Sequence, residues 1–220
     1  MKNFELKKES WIWVIMILPI LYLAYVWKTL PDIVPTHFGA DGQPNDWSHK
    51  SLLIYVVLGM TIGIYALLTV IPMIDPKEKI RDMGSKYFFF KLLMILFMSI
   101  LCFFIIQSAI TKNIGNGNAL FLLIGALFAF LGNYMQALKP NYFIGIRTPW
   151  TLESEMVWRK THQLGGKLFF AAGILVMILP FLLKEKFQPV FLTIVAIAAI
   201  IPVGYSFILF RQEKKNDLVK

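Results

Sequence analysis

Six long apolar runs divide this chain, at residues 11–30, 52–74, 88–110, 119–138, 168–183 and 190–210, and the polar residues gather between them. Each run is close to the roughly 20 residues that a helix needs to cross the hydrocarbon of a bilayer. Backbone in lipid must satisfy its own hydrogen bonds, so helices are the expected form. The pattern predicts an all-α membrane protein with six transmembrane helices, three in an N-terminal region 1–110 and three in a C-terminal region 111–220. The first run follows Lys2, Lys7 and Lys8, as a secretory signal would. It is too long for a signal core and has no small-residue cleavage site, which reads as a retained helix.

Two polar interruptions are long enough to carry structure of their own, residues 31–50 and residues 139–167. Both are expected at or outside the membrane surface. Composition agrees with the membrane reading, because 57% hydrophobic and 16% charged residues exceed what a soluble chain of this length ordinarily hides. The net charge of +9 raises nucleic-acid binding, and the placement of the charge removes it. Basic residues collect before the first run, around Lys77 to Lys86, in 139–167 and after the sixth, while the alternate loops hold only Lys50, Lys112, Lys184 and Lys186. The positive-inside rule then puts both termini and residues 139–167 in the cytoplasm and residues 31–50 outside, in a multi-pass protein of the cell membrane.

No Asp, Glu or His lies within the six runs, which argues against an ion-coupled carrier. Lys28, Lys91 and Lys167 lie near run ends, where their stems are expected to snorkel to the interface. Pro19, Pro180 and Pro202 predict kinks. Gly59 and Gly63 make a GxxxG spacing, expected to pack helices within the monomer or to support a homodimer. Cys102 is the one cysteine, so an intramolecular disulfide and a cysteine metal cluster are both excluded, and a buried small hydrophobe is expected.

The outer segment contains Pro31, Pro35, Asp41-Gly42 and Pro44-Asn45, which predict a compact, turn-rich lid that returns Trp47 toward His37 and Phe38. Its candidate ligand-binding residues are His37, Phe38, Asp46, Trp47 and His49. His37, Asp41, Asp46 and His49 are metal-ligating types, but their spacing fits no metal motif, so no metal is assigned. Ser48 or Ser51 is an expected cap for the second span.

In the inner segment Thr151 is the expected N-cap of a short amphipathic helix with Glu153 and Glu155 at its start, Arg159 and Lys160 near its end and Gly165 as its stop. Glu155, Arg159 and His162 then share one stripe, with Trp158 on its flank. A plain surface helix and a partner-binding face both fit that pattern. The candidate partner-binding set is Asn141, Gly145, Arg147, Thr148, Trp158, Arg159 and His162, with Arg147 a fork for a carboxylate or phosphate.

The outer pattern P-x-x-x-P-x-H-[FW]-x-x-x-G-x-x-[DN]-x-W-x-x-K, from Pro31 to Lys50, resembles a small bacterial membrane domain of uncharacterised role. The inner run N-x-x-x-G-I-R-T-P-W-T-L-x-S-x-x-x-W-x-x-T-H, from Asn141 to His162, resembles the signature of the SdpI family, integral-membrane immunity proteins against secreted sporulation-delay-type toxins. This resemblance implies resistance to a secreted toxin peptide, together with the recruitment of a cytoplasmic transcriptional repressor. It implies no catalysis and no cofactor. Two rival readings stay open at this point. One is a membrane enzyme, such as a metal-dependent hydrolase using the outer His and Asp residues, although no nucleophile and base pairing supports it. The other is an uncoupled exporter of a peptide or amphiphile, with Gln107, Asn133 and Gln136 along its path.

Overall fold

The computed structural model describes residues 2–39, 43–113 and 117–217. Its helices are α1 (Lys2–Val26), α2 (Leu52–Leu58), α3 (Ile64–Ile74), α4 (Ser85–Thr111), α5 (Asn118–Met135), α6 (Pro149–Glu153), α7 (Glu155–Leu183) and α8 (Phe187–Asp217), with strands β1 (Ile33–Phe38) and β2 (Pro44–His49) between α1 and α2. Among the described residues six helices are long and apolar enough to cross a membrane, with α2 and α3 joined into one span. Large apolar side chains such as Trp11, Leu182 and Ile200 face outward, as lipid-facing positions do. The chain is a multi-pass membrane protein.

The helices form two compact units, one of residues 1–70 and 88–117, the other of residues 71–87 and 118–220. In the first unit, Val34 of β1 is fully buried among Leu23, Leu30, Leu53, Val57, Cys102 and Ile106, which seats the hairpin on α1, α2 and α4. Cys102 is a core residue there, as expected. Tyr22 donates its hydroxyl proton to Gln107 across helices, so Gln107 is spent on packing.

Three expectations for the first unit are corrected. Lys91 does not snorkel: it is buried and paired with Glu9, whose other oxygen accepts from the Tyr65 hydroxyl, itself a partner of the Trp13 indole. Glu9 lies within the first spanning helix, so a Lys–Glu pair does sit among the spans; the helix simply begins earlier than its apolar run. Gly59 and Gly63 do not pack against a neighbouring helix within the monomer: both lie in a π-helical turn, Gly59–Gly63, and a Cβ at Gly59 would meet nothing within 4 Å. Ser51 does not cap α2 with its side chain.

Close approach of two backbones occurs in the second unit instead. Gly125 and Gly132 of α5 face Gly173 and Gly166 of α7. A Cβ on any of the four would come within 2.7 Å or less of the other helix's backbone. The seven-residue spacing on each helix keeps these glycines on one stripe, which lets dispersion contacts form along the whole seam. Pro19, Pro180 and Pro202 lie inside helices, as does Pro72.

Candidate functional site

The hairpin leaves most of its patterned side chains exposed. Its strands pair antiparallel with Val34 opposite Ser48, Pro35 opposite Trp47 and His37 opposite Asp46. Pro44 and Asn45 are strand residues, and the returning strand sets Trp47 opposite Pro35, next in the ladder to the pair of His37 and Asp46. The register slips twice, leaving Thr36 and Asn45 as extra residues. Such bulges re-aim neighbouring side chains, and here the two extra residues hold the candidates. The Asn45 amide oxygen can only accept, so His37 Nδ1 donates to it, while Thr36 Oγ1 donates to Asp46 Oδ2 at 3.0 Å. His49 Nδ1 accepts from the Ser51 backbone N–H at 3.2 Å.

His37, Asp46, Trp47 and His49 are exposed and Phe38 is half-buried. The candidates do not converge: His49 pairs with Ile33 at the opposite end of the ladder from His37. Among the described residues no group of three His, Cys, Asp or Glu side chains could hold a metal ion; Asp41 lies outside the described residues. Lys50, which carries no assigned role in the sequence reading, anchors the hairpin base. Its Nζ meets Asp32 Oδ1 at 2.9 Å and lies 5.3 Å over the Trp27 ring, and its backbone N–H bonds to Asp32 O. The Lys50 hydrogen bond and charge hold the exposed Asp32 carboxyl below its ordinary value near 3.8.

The signature segment is organised inward. Asn141 is fully buried and uses its whole amide: Oδ1 accepts from the N–H groups of Phe143 and Ile144, and Nδ2 donates to the carbonyls of Lys139 and Ile144. This turn delivers Gly145, whose φ of +108° and lack of Cβ are both required, because a Cβ there would overlap the His162 ring. The Ile146 N–H donates to His162 Nε2 at 3.0 Å, so that nitrogen is an acceptor. Nδ1 then carries the proton and donates to the Trp158 carbonyl at 2.9 Å. His162 is a neutral imidazole with both nitrogens committed, stacked on Trp158 at 4.0 Å between ring centres. The Trp158 indole N–H in turn donates to Leu138 O at 2.9 Å.

Thr148, not Thr151, caps the short helix α6. Its side chain accepts from the Thr151 N–H, and the Thr151 hydroxyl accepts from the Thr148 N–H. Pro149 fills the first helical position, where a missing N–H costs nothing. Ser154 then caps α7 through the Val157 N–H. Gly165 does not stop this helix, which runs on through the fifth span; the amphipathic stretch is the first turns of α7.

The candidate partner-binding set therefore splits. Asn141, Thr148, Trp158 and His162 are buried, while Gly145, Arg147 and Arg159 are exposed. Arg147 donates to the Tyr142 carbonyl. Lys77, from the link between α3 and α4, reaches the Leu152 carbonyl at 3.3 Å and lies 5.0 Å over the Tyr142 ring. A cleft of about 440 Å³ opens beside the Trp158 and His162 stack, rimmed by Lys139, Glu155 and Arg159.

Comparison with known proteins follows the same division. Residues 137–206 match the SdpI/YfhL protein family, and residues 14–62 match a domain of unknown function, DUF1648. Immunity protein SdpI of Bacillus subtilis (strain 168) is 26% identical over 202 residues, covering 90% of this chain and 94% of that protein. No solved structure matches. The resemblance of the signature segment to the SdpI family holds, and it extends through nearly the full length of a family protein.

Proposed function

We propose that this membrane protein confers immunity on the cell that makes it, protecting the bilayer against a secreted antimicrobial peptide. The observation that carries this reading is the 26% identity to an immunity protein over 90% of the chain, because similarity spread over hairpin, spans and signature loop favours a shared task over a shared module. The hairpin faces the exterior and the signature loop and both termini face the cytoplasm, in keeping with the distribution of Lys and Arg. An apolar toxin docks on the exposed Trp47 ring and on helix faces, and is kept from inserting or self-associating. Contact of this kind depends on buried apolar area, and one aromatic anchor typically carries 2 kcal/mol or more of it.

Docking passes inward if the helices have two packings of unequal toxin affinity. The exposed Arg147 and Arg159 are the residues of the signature segment that a cytoplasmic repressor would read; the buried members hold them in place. The test is survival of toxin-sensitive cells carrying this chain when a sporulation-delay-type toxin is added. Native protein protects. His37→Ala combined with Trp47→Ala loses protection at native abundance, and Arg147→Ala keeps protection but loses the transcriptional response. Full activity of both variants would remove both loops from the mechanism.

A further inference from the structure

Trp150 lies in the signature run, yet it takes no part in the buried network around His162. It sits on α6 with its ring 5.0 Å from Phe207 of α8. The two, with Phe210, line a groove of about 620 Å³ that Arg211, Lys214 and Lys215 complete. The Arg211 guanidinium lies over the Phe207 ring, while Lys214 lies over Phe210 and 3.9 Å from Glu153. Arg211 and Lys215 have no anionic partner among the described residues. The groove is therefore apolar at its base and cationic at its rim.

Its position selects the occupant. Helix α8 has 31 residues, about 46 Å at 1.5 Å per residue, against roughly 30 Å of hydrocarbon. Its last turns, with Arg211 to Lys215, emerge at headgroup level. Below them Ile200, Val203 and Phe207 fall on one face and are exposed, so an apolar surface leads without interruption into the cationic rim. A free anion would use only the rim, and a soluble protein would not use the lipid-level face. A molecule with an anionic head and an acyl tail uses both.

We propose that this groove binds an anionic phospholipid, with Arg211 and Lys215 on the headgroup phosphate and the upper acyl chain against Phe207 and Val203. Occupancy fastens α6, and with it the Thr148 cap that bonds Ser206 of α8 at 3.1 Å, to the end of the sixth span. The proposal does not depend on the immunity reading.

Trp150 is the reporter. Full-length protein in phosphatidylcholine vesicles is titrated with phosphatidylglycerol or phosphatidylcholine brominated on the upper acyl chain, and the Trp150 signal is isolated by subtracting Trp150→Phe. Quenching is expected at a lower fraction of the anionic lipid. Arg211→Gln with Lys215→Gln should reduce that preference about fivefold for each cation removed, whereas Lys160→Gln, an exposed charge outside the groove, leaves it unchanged. Equal quenching by the two lipids, a preference that survives the double variant, or an equal loss in Lys160→Gln would overturn the site. So would relief of quenching by millimolar inorganic phosphate, which would identify a free anion as the occupant.

Discussion

The hairpin and the signature loop carry comparably dense sequence patterns and use them in opposite ways. In the hairpin four of the five candidate side chains are exposed, and the fold is held by a two-stranded ladder, the buried Val34 and the Lys50 anchor at its base. In the signature loop most of the patterned polar groups are buried and bonded to one another or to backbone. A buried polar group left without a partner costs about 1–3 kcal/mol, so such a network tolerates few residue types at each position. Pattern density therefore coincides with exposed side chains in the hairpin and with a buried, bonded network in the signature loop.

Gly145→Ala should break this contrast most strongly. It forces a side chain into a backbone region that costs about 1–3 kcal/mol and displaces the His162 ring that receives the Ile146 N–H. We expect loss of several kcal/mol in total, visible as a collapse of thermal stability in detergent and low abundance in membranes. A stable Gly145→Ala protein would mean that the loop is not organised around His162. Asn141→Asp comes next. The carboxylate still accepts from Phe143 and Ile144 but offers nothing to the carbonyls of Lys139 and Ile144, and about 2–3 kcal/mol should be lost. Equal melting of Asn141→Asp and native protein would show that the amide donors are dispensable.

The spans were legible because lipid demands long uninterrupted apolar runs, and the six runs coincide with the six helices long enough to span among the described residues. The α1 boundary was less so, since Glu9 precedes the apolar run and enters the helix as a half-buried carboxyl partnered by Lys91 and the Tyr65 hydroxyl. The glycine seam between α5 and α7 went unread because its glycines lie seven apart, while the GxxxG spacing at Gly59 drew attention to a π-helical turn. In the signature loop the residue types were visible but their direction was not. A stripe of Glu155, Arg159 and His162 reads as one polar face until His162 is seen to turn inward to meet Gly145, a contact set by a positive φ that spacing does not reveal. In the hairpin, proline and Asp-Gly positions announced reversal, yet the two bulges that orient His37 and Asp46 depend on register between strands.

The reverse expectation holds for the hairpin. His37→Ala with Trp47→Ala removes exposed groups and should shift stability by no more than about 0.5 kcal/mol for each residue, while toxin protection is lost. Melting temperature and survival measured on the same variant separate the two regions: variants of the buried signature-loop network, Gly145→Ala and Asn141→Asp, lose both together, and the hairpin variant loses only the second. A large drop in melting temperature for the hairpin variant would erase the contrast.

The smallest effect concerns how the hairpin is held. Asp32 is depressed below its ordinary value near 3.8 first by the Lys50 hydrogen bond and then by the Lys50 charge. A carboxyl lowered in the folded state contributes stability that is fully present above its unfolded value and disappears as pH falls through the folded one. The contribution should therefore be complete at pH 5 and above and fade below about pH 4. Because Asp32 is 80% exposed, solvent screens the pair and the effect is slight. Native protein and Asp32→Asn should differ in hairpin proteolysis at pH 6 and draw together as the pH falls below about 4, with no difference in cleavage of the signature loop at any pH. If the two chains are cleaved alike at pH 6, the Val34 seat and the backbone bond from Lys50 to Asp32 hold the hairpin without the ion pair.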